Sequence, residues 1–79
     1  MQKFDIMLRS LQDVQEFVTL AARQPFAITV GNEFQSIDGK DFMGMFSLDY
    51  SRPLEVCIDC PQNRCSLFLQ NTAKFLVFH

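Results

Sequence analysis

The spacing of apolar residues along this chain changes repeatedly between two residues and three or four residues, which predicts the order of its strands and helices. Apolar and polar side chains alternate over 3–8, 26–30 and 54–58, as in strands with one buried face. Gly31 and Asn32 tolerate positive φ in a turn, so we expect a further strand over 33–37 as a hairpin partner. Helical spacing fills 10–23, 42–46 and the segment after Pro61. The order β-α-β-β-α-β-α predicts an α+β two-layer sandwich with helices on one face of a mostly antiparallel sheet.

The predicted helices carry their own end signals. Ser10 is a candidate N-cap of the first helix, with Asp13 in the capping-box position, and Pro25 follows its end. Asp41 is a natural N-cap for the second helix, and Pro61 suits the first position of the third. The residues that place the third helix on the sheet are Cys65, Phe68, Leu69, Thr72, Phe75 and Leu76, and we expect it to fray near Val77.

Size and charge exclude several classes of protein. The chain has 79 residues, 48% of them hydrophobic. This predicts one domain over 1–79 with a small core that folds without disulfides or a structural metal. Seven basic and nine acidic residues give a net charge of -2, which offers no reason to expect nucleic acid or an anionic membrane as a partner. No apolar run approaches the roughly 20 residues of a membrane helix, and the first ten residues lack a signal-peptide core. We therefore expect a cytoplasmic protein.

One segment resembles a known signature. "KDFMGMFSL", residues 40–48, is similar to the "K-S-x-M-G-x-M-S-L" motif of HPr, the histidine-containing phosphocarrier of the bacterial phosphoenolpyruvate-dependent sugar phosphotransferase system, with matches at Lys40, Met43, Gly44, Ser47 and Leu48. The ungapped match extends over about 17–58, laying 17–22 on the family's first helix and 28–30 on its second strand. The resemblance implies an HPr-like open-faced β-sandwich.

The family's phosphoacceptor loop is not matched. The ungapped register puts Ser10 at the family's histidine, Gln12 at its arginine and Asp13 at its proline, and the sole histidine of the sequence is His79. A phosphoramidate cannot form on serine, and the Asp13 carboxylate would repel a phosphoryl group. The resemblance therefore implies a homologue that is not an enzyme and that needs no cofactor. A genuine phosphocarrier component with an atypical acceptor is the alternative.

Asp41 stands where many relatives carry a serine that a dedicated kinase phosphorylates. A permanent carboxylate there would be an incomplete mimic, because it carries one negative charge against the ~1.5 to 2 of phosphoserine. A simple helix cap is the competing interpretation.

The same segment carries more large apolar groups than one side of a short helix can bury. By resemblance, this helix contacts partner proteins, either phosphotransferase-system components or a regulator, and methionine suits a surface that repacks against several partners. The predicted partner-binding residues are Asp41, Met43, Met45, Phe46, Ser47 and Leu48. The competing interpretation buries Phe42, Met43 and Phe46 and leaves Met45 and Leu48 as scattered exposure. A monomer or a weak homodimer fits either interpretation.

The three cysteines, Cys57, Cys60 and Cys65, make a poor disulfide framework. The spacing of Cys57 and Cys60 is that of a zinc half-site, but a structural site needs four ligands, and His79 at the terminus is expected to be solvated. Strand alternation aims Cys57 outward, whereas Cys65 faces the core side of a helix. We expect free thiols without a metal, with a metal or redox protein as the alternative.

Overall fold

The computed structural model describes residues 2–60 and 62–77. The predicted element order is confirmed, and the elements are β1 (Gln2–Ile6), α1 (Leu11–Ala22), β2 (Ala27–Gly31), β3 (Ser36–Asp38), α2 (Phe42–Ser47), β4 (Leu54–Asp59) and α3 (Gln62–Asn71), followed by a 3-10 turn over Ala73–Phe75. The predictions for Pro61 and His79 lie outside the described residues. None of the described helices is long and apolar enough to cross a bilayer.

The four strands form one antiparallel sheet in the order β1-β4-β2-β3. In β4 the predicted alternation is confirmed, since Leu54, Val56 and Ile58 are buried while Glu55 and Asp59 are exposed. Val56 pairs with Val30 of β2, which brings buried side chains of neighbouring strands side by side on one face. The helices cover that face, and the other face of the sheet is open.

Aromatic rings fill the layer between helices and sheet. Phe17 of α1 is fully buried, and its ring meets those of Phe68 and Phe75 edge to face at centroid distances of 6.0 and 6.3 Å. Val14, Val18 and Ala21 are buried as their spacing predicts, whereas Ala22, at the end of α1, was also predicted to face the sheet and is exposed. The first helix is therefore anchored at its centre, which fixes where its N-terminal end lies.

The turn between β2 and β3 differs from the prediction. The third strand is shorter than 33–37, because the Asn32 side-chain oxygen accepts hydrogen bonds from the amides of Phe34 (2.8 Å) and Gln35 (3.0 Å) and holds these residues in a turn. No described residue has a positive φ, so the expected left-handed turn residues were wrong. Gly31 is required by close approach instead: a Cβ there would lie 2.6 Å from the carbonyl oxygen of Gln35.

The predicted third helix is too long. It ends at Asn71, and the buried Thr72 hydroxyl donates to the Phe68 carbonyl oxygen at 2.8 Å. Beyond the 3-10 turn, Leu76 forms a bridge with Ile6, and the Val77 amide donates to the Asp5 carbonyl oxygen at 3.0 Å. The chain leaves the helix because β1 is an edge strand with unpaired backbone groups, which this segment pairs.

Candidate docking surface and the start of the first helix

Two side chains accept hydrogen bonds from backbone amides at the start of α1. The Ser10 hydroxyl oxygen accepts from the Asp13 amide at 3.2 Å, and the Asp13 carboxylate accepts from the Arg9 amide at 3.0 Å. Ser10 has extended backbone angles, as an N-cap requires, so the predicted cap is confirmed. Both side chains that the sequence resemblance assigns to the phosphoacceptor loop are thus engaged in holding the helix start.

This arrangement disfavours an anion at the same place. The amides at a helix start attract negative charge, but here the Asp13 carboxylate already supplies it. A phosphoryl group arriving at Ser10 would meet that carboxylate and would have to displace the hydrogen bond from the Asp13 amide. The geometry at Ser10 and Asp13 therefore stabilises the start of the helix.

The six residues of α2 present two different faces. Met43, Phe46 and Ser47 share one face by their spacing of three and four residues. The Met43 side chain is 77% exposed, Ser47 is exposed and Phe46 is half-buried. Phe46 packs edge to face on Phe42 with ring centroids 4.4 Å apart. We call Asp41, Met43, Phe46 and Ser47 the outer face of α2.

Two of the predicted contact residues lie on the opposite face. Met45 is 1% exposed and Leu48 is 3% exposed, and both belong to the main core cluster. The prediction that they are available to a partner is therefore wrong, and the competing interpretation that left these two residues exposed is wrong as well. Both stripes of the helix are apolar, so spacing alone did not reveal which one faces α1 and the sheet.

Asp41 occupies the N-cap position of α2 without making the predicted cap. Its backbone carbonyl accepts from the Met45 amide at 2.9 Å, but its side chain caps no backbone amide. The carboxylate instead lies beside Gly44, where an added Cβ would come within 3.0 Å of Oδ2. The predicted side-chain cap is therefore wrong, and the exposed carboxylate adds a negative charge at the start of α2.

Lys40, a residue of the matched motif, ties the two helices together. Its ammonium nitrogen donates to the Gln24 carbonyl oxygen at 2.7 Å, just beyond the end of α1. A cation at this end of a helix also interacts favourably with the helix dipole. Since α1 also packs directly against α2, the outer face of α2 is held rigidly relative to the start of α1.

The three cysteines are not joined in disulfides, and they lie on two sides of the sheet. Cys57 is half-buried on the open face, with its sulfur 3.7 Å from a Glu55 carboxylate oxygen, whereas Cys60 and Cys65 are buried in the core cluster. Among residues 2–60 and 62–77, no group of three or more His, Cys, Asp or Glu side chains could hold a metal ion.

Sequence reasoning missed a groove on the open face of the sheet. It encloses about 530 Å³ and is lined by residues of several strands and loops, including Asp5, Phe34, Arg52, Glu55 and Cys57. The Phe34 side chain is 86% exposed at its edge. Strand alternation predicts which side chains point away from the core. The groove also depends on the turn over 32–35, and the sequence did not predict the conformation of that turn.

The architecture now defines a class: an α+β open-faced sandwich whose four antiparallel strands carry helices on one face only. A crystal structure described as HPr-C-His from Thermoanaerobacter tengcongensis is similar to it with a TM-score of 0.74 at 16% sequence identity, covering 94% of this chain and 93% of that chain. The predicted HPr-like fold is therefore confirmed. No protein-family model matches the sequence, and no curated protein matches it either.

Proposed function

We propose that this protein is a non-catalytic HPr homologue: a cytoplasmic protein-binding module, related to the sugar phosphotransferase system, that docks through the outer face of α2. The observation that carries the proposal is the 77% exposure of the Met43 side chain within a helix whose sequence resembles the family's signature. An exposed methionine beside a half-buried aromatic ring supplies apolar contact area that can repack against more than one partner.

The surface has a rigid support and a defined charge. Met45 and Leu48 anchor α2 in the core from below, and Lys40 fixes its start to the end of α1. Asp41 places a carboxylate at the edge of the apolar contact, where a partner's arginine or lysine would meet it. Because Asp41 makes no side-chain cap, its charge is available for recognition, which favours the partial phosphoserine mimic over the simple cap.

The absence of phosphoryl transfer is the second part of the proposal. It is supported by the sequence, which has serine at the position that the resemblance assigns to the phosphoacceptor, and by the closed cap between Ser10 and Asp13. The competing function is a phosphocarrier component with an atypical acceptor, for which Ser10 is the candidate. Its exposed hydroxyl favours that function, but no base among residues 2–60 and 62–77 is hydrogen-bonded to it to activate it.

The test is affinity capture from the native cytosol with three baits: wild type, Met43→Glu and Phe34→Glu. Phe34 is the matched control, because it is an exposed apolar residue on the open face of the sheet, away from α2. We expect wild type and Phe34→Glu to retain the same phosphotransferase-system component or regulator and Met43→Glu to lose it. Retention by Met43→Glu, or loss with Phe34→Glu alone, would contradict docking through α2.

A further inference from the structure

Two thiols that the proposed function does not use lie next to each other in the core. Cys60 directly follows β4 and continues its inward alternation after Leu54, Val56 and Ile58. Cys65 lies in the first half of α3 and is fully buried. The Cys65 sulfur accepts a hydrogen bond from the side-chain amide of Gln2, and Gln2 pairs with Ile58, which lies two residues before Cys60 on the same buried face. The start of α3 therefore covers the end of β4, where Cys60 lies, and the Cys65 thiol is near enough to contribute to the raised pKa of Cys60.

The surroundings of the pair suit a neutral group. Cys60 is 9% exposed, and the Cys65 sulfur accepts a hydrogen bond from the Gln2 side-chain amide at 3.1 Å. Burial, together with the neighbouring Cys65 thiol, raises the pKa of Cys60 to about 11. A disulfide is uncharged, so forming one here would bury no charge.

The third cysteine cannot join this pair within the folded chain. Cys57 precedes Cys60 by three residues, an odd step along an extended strand, and it lines the groove on the open face. The sheet itself separates its sulfur from the other two. A Cys57 to Cys60 bond would therefore require β4 to leave the sheet.

We propose that a thiol oxidant closes Cys60 and Cys65 into an intramolecular disulfide within the native fold, which ties β4 to α3. The site accepts a two-electron thiol oxidant small enough to reach Cys60, the more exposed of the two sulfurs. This inference does not depend on docking through α2, and it can fail or succeed separately.

The step balances with diamide, an azo compound, as the oxidant. The Cys60 sulfur loses its proton and bonds to one azo nitrogen, and the other nitrogen takes up a proton. The Cys65 sulfur then loses its proton and attacks the Cys60 sulfur; the S–S bond forms and the S–N bond breaks. The departing nitrogen is protonated, so the azo compound leaves as a hydrazine carrying the two hydrogens and two electrons of the thiols.

The test treats the full chain with diamide under native conditions, blocks remaining thiols with iodoacetamide, and maps the products by mass spectrometry. We expect loss of two hydrogens, a link between the peptides of Cys60 and Cys65, and iodoacetamide on Cys57 alone. Alkylation of all three cysteines, or a disulfide that contains Cys57, would overturn the proposal.

A variant and a denatured control show that the fold selects the pair. Cys57→Ser should still lose two hydrogens, whereas Cys57→Ser with Cys65→Ala should not. In denaturant the shorter Cys57 to Cys60 loop should compete, so the same mixture of disulfides in native and denatured protein would refute a native contact. Oxidised Cys57→Ser should melt about 10 °C above its reduced form, and an unchanged or lower Tm would show that the native fold does not accommodate the bond.

Discussion

Replacing Met45 and Met43 separately by alanine tests the assignment of the two faces of α2. The two residues are two positions apart in one short helix, so the change in helix propensity is the same for both. Met45 is 1% exposed, and truncating it removes buried apolar area and leaves a cavity, at a cost of about 2–5 kcal/mol. Met43 is 77% exposed, and its truncation should cost less than about 0.5 kcal/mol.

The effect of Met45→Ala is large for a chain of this length. A domain of 79 residues has a free energy of unfolding of roughly 4–12 kcal/mol, so Met45→Ala removes a substantial part of it. In urea unfolding followed by circular dichroism, the midpoint should fall by roughly 2 M with an unchanged slope, while Met43→Ala stays near wild type. Equal midpoints for the two variants, or a larger fall for Met43→Ala, would refute the assignment of the faces.

Three further predictions concern the core, the cap and the buried thiol. Phe17→Ala should cost about 3–5 kcal/mol in urea unfolding, because it removes a fully buried ring that packs on Phe68 and Phe75; a loss below about 1 kcal/mol would show that α1 lies in a different register. Ser10→Ala should cost about 1 kcal/mol and Ser10→Asp much less, since aspartate retains an acceptor for the Asp13 amide; equal losses would contradict the cap. The pKa of the Cys60 thiol is raised in the folded state, so its contribution to stability is complete below pH 9.0 and is lost as the pH rises through about 11. In Cys57→Ser, the rate at which iodoacetamide labels Cys60 should rise about tenfold per pH unit below pH 11. A flat labelling rate between pH 7 and 9 would contradict the raised pKa.

Much of the fold was predictable because its signals are local. Alternation in β4 and the apolar stripe of α1 each bury one face of an element, and both were read correctly from spacing. The cap at Ser10 was equally predictable, since it needs a hydroxyl and a carboxylate three residues apart.

What could not be predicted depends on contacts distant in sequence. The C-terminal segment leaves its helical pattern at Thr72 because Leu76 and Val77 pair with β1, which lies at the other end of the chain. Met45 was wrongly predicted to be exposed together with Met43, because the two residues are chemically identical and the contacts of α2 with α1 and β3 decide which one is covered. The Cys60 to Cys65 contact likewise requires the position of α3 on the sheet.

The most direct test of the account is an intact-mass measurement after incubation with phosphoenolpyruvate and the general phosphotransferase of the system. A histidine-bearing HPr in the same reaction is the internal control, since it must gain a phosphoryl group for the assay to count. We expect this chain to keep its unmodified mass while the control HPr gains a phosphoryl group. A phosphoryl adduct on this chain, at Ser10 or elsewhere, would contradict the claim that the fold has been retained for binding without phosphoryl transfer.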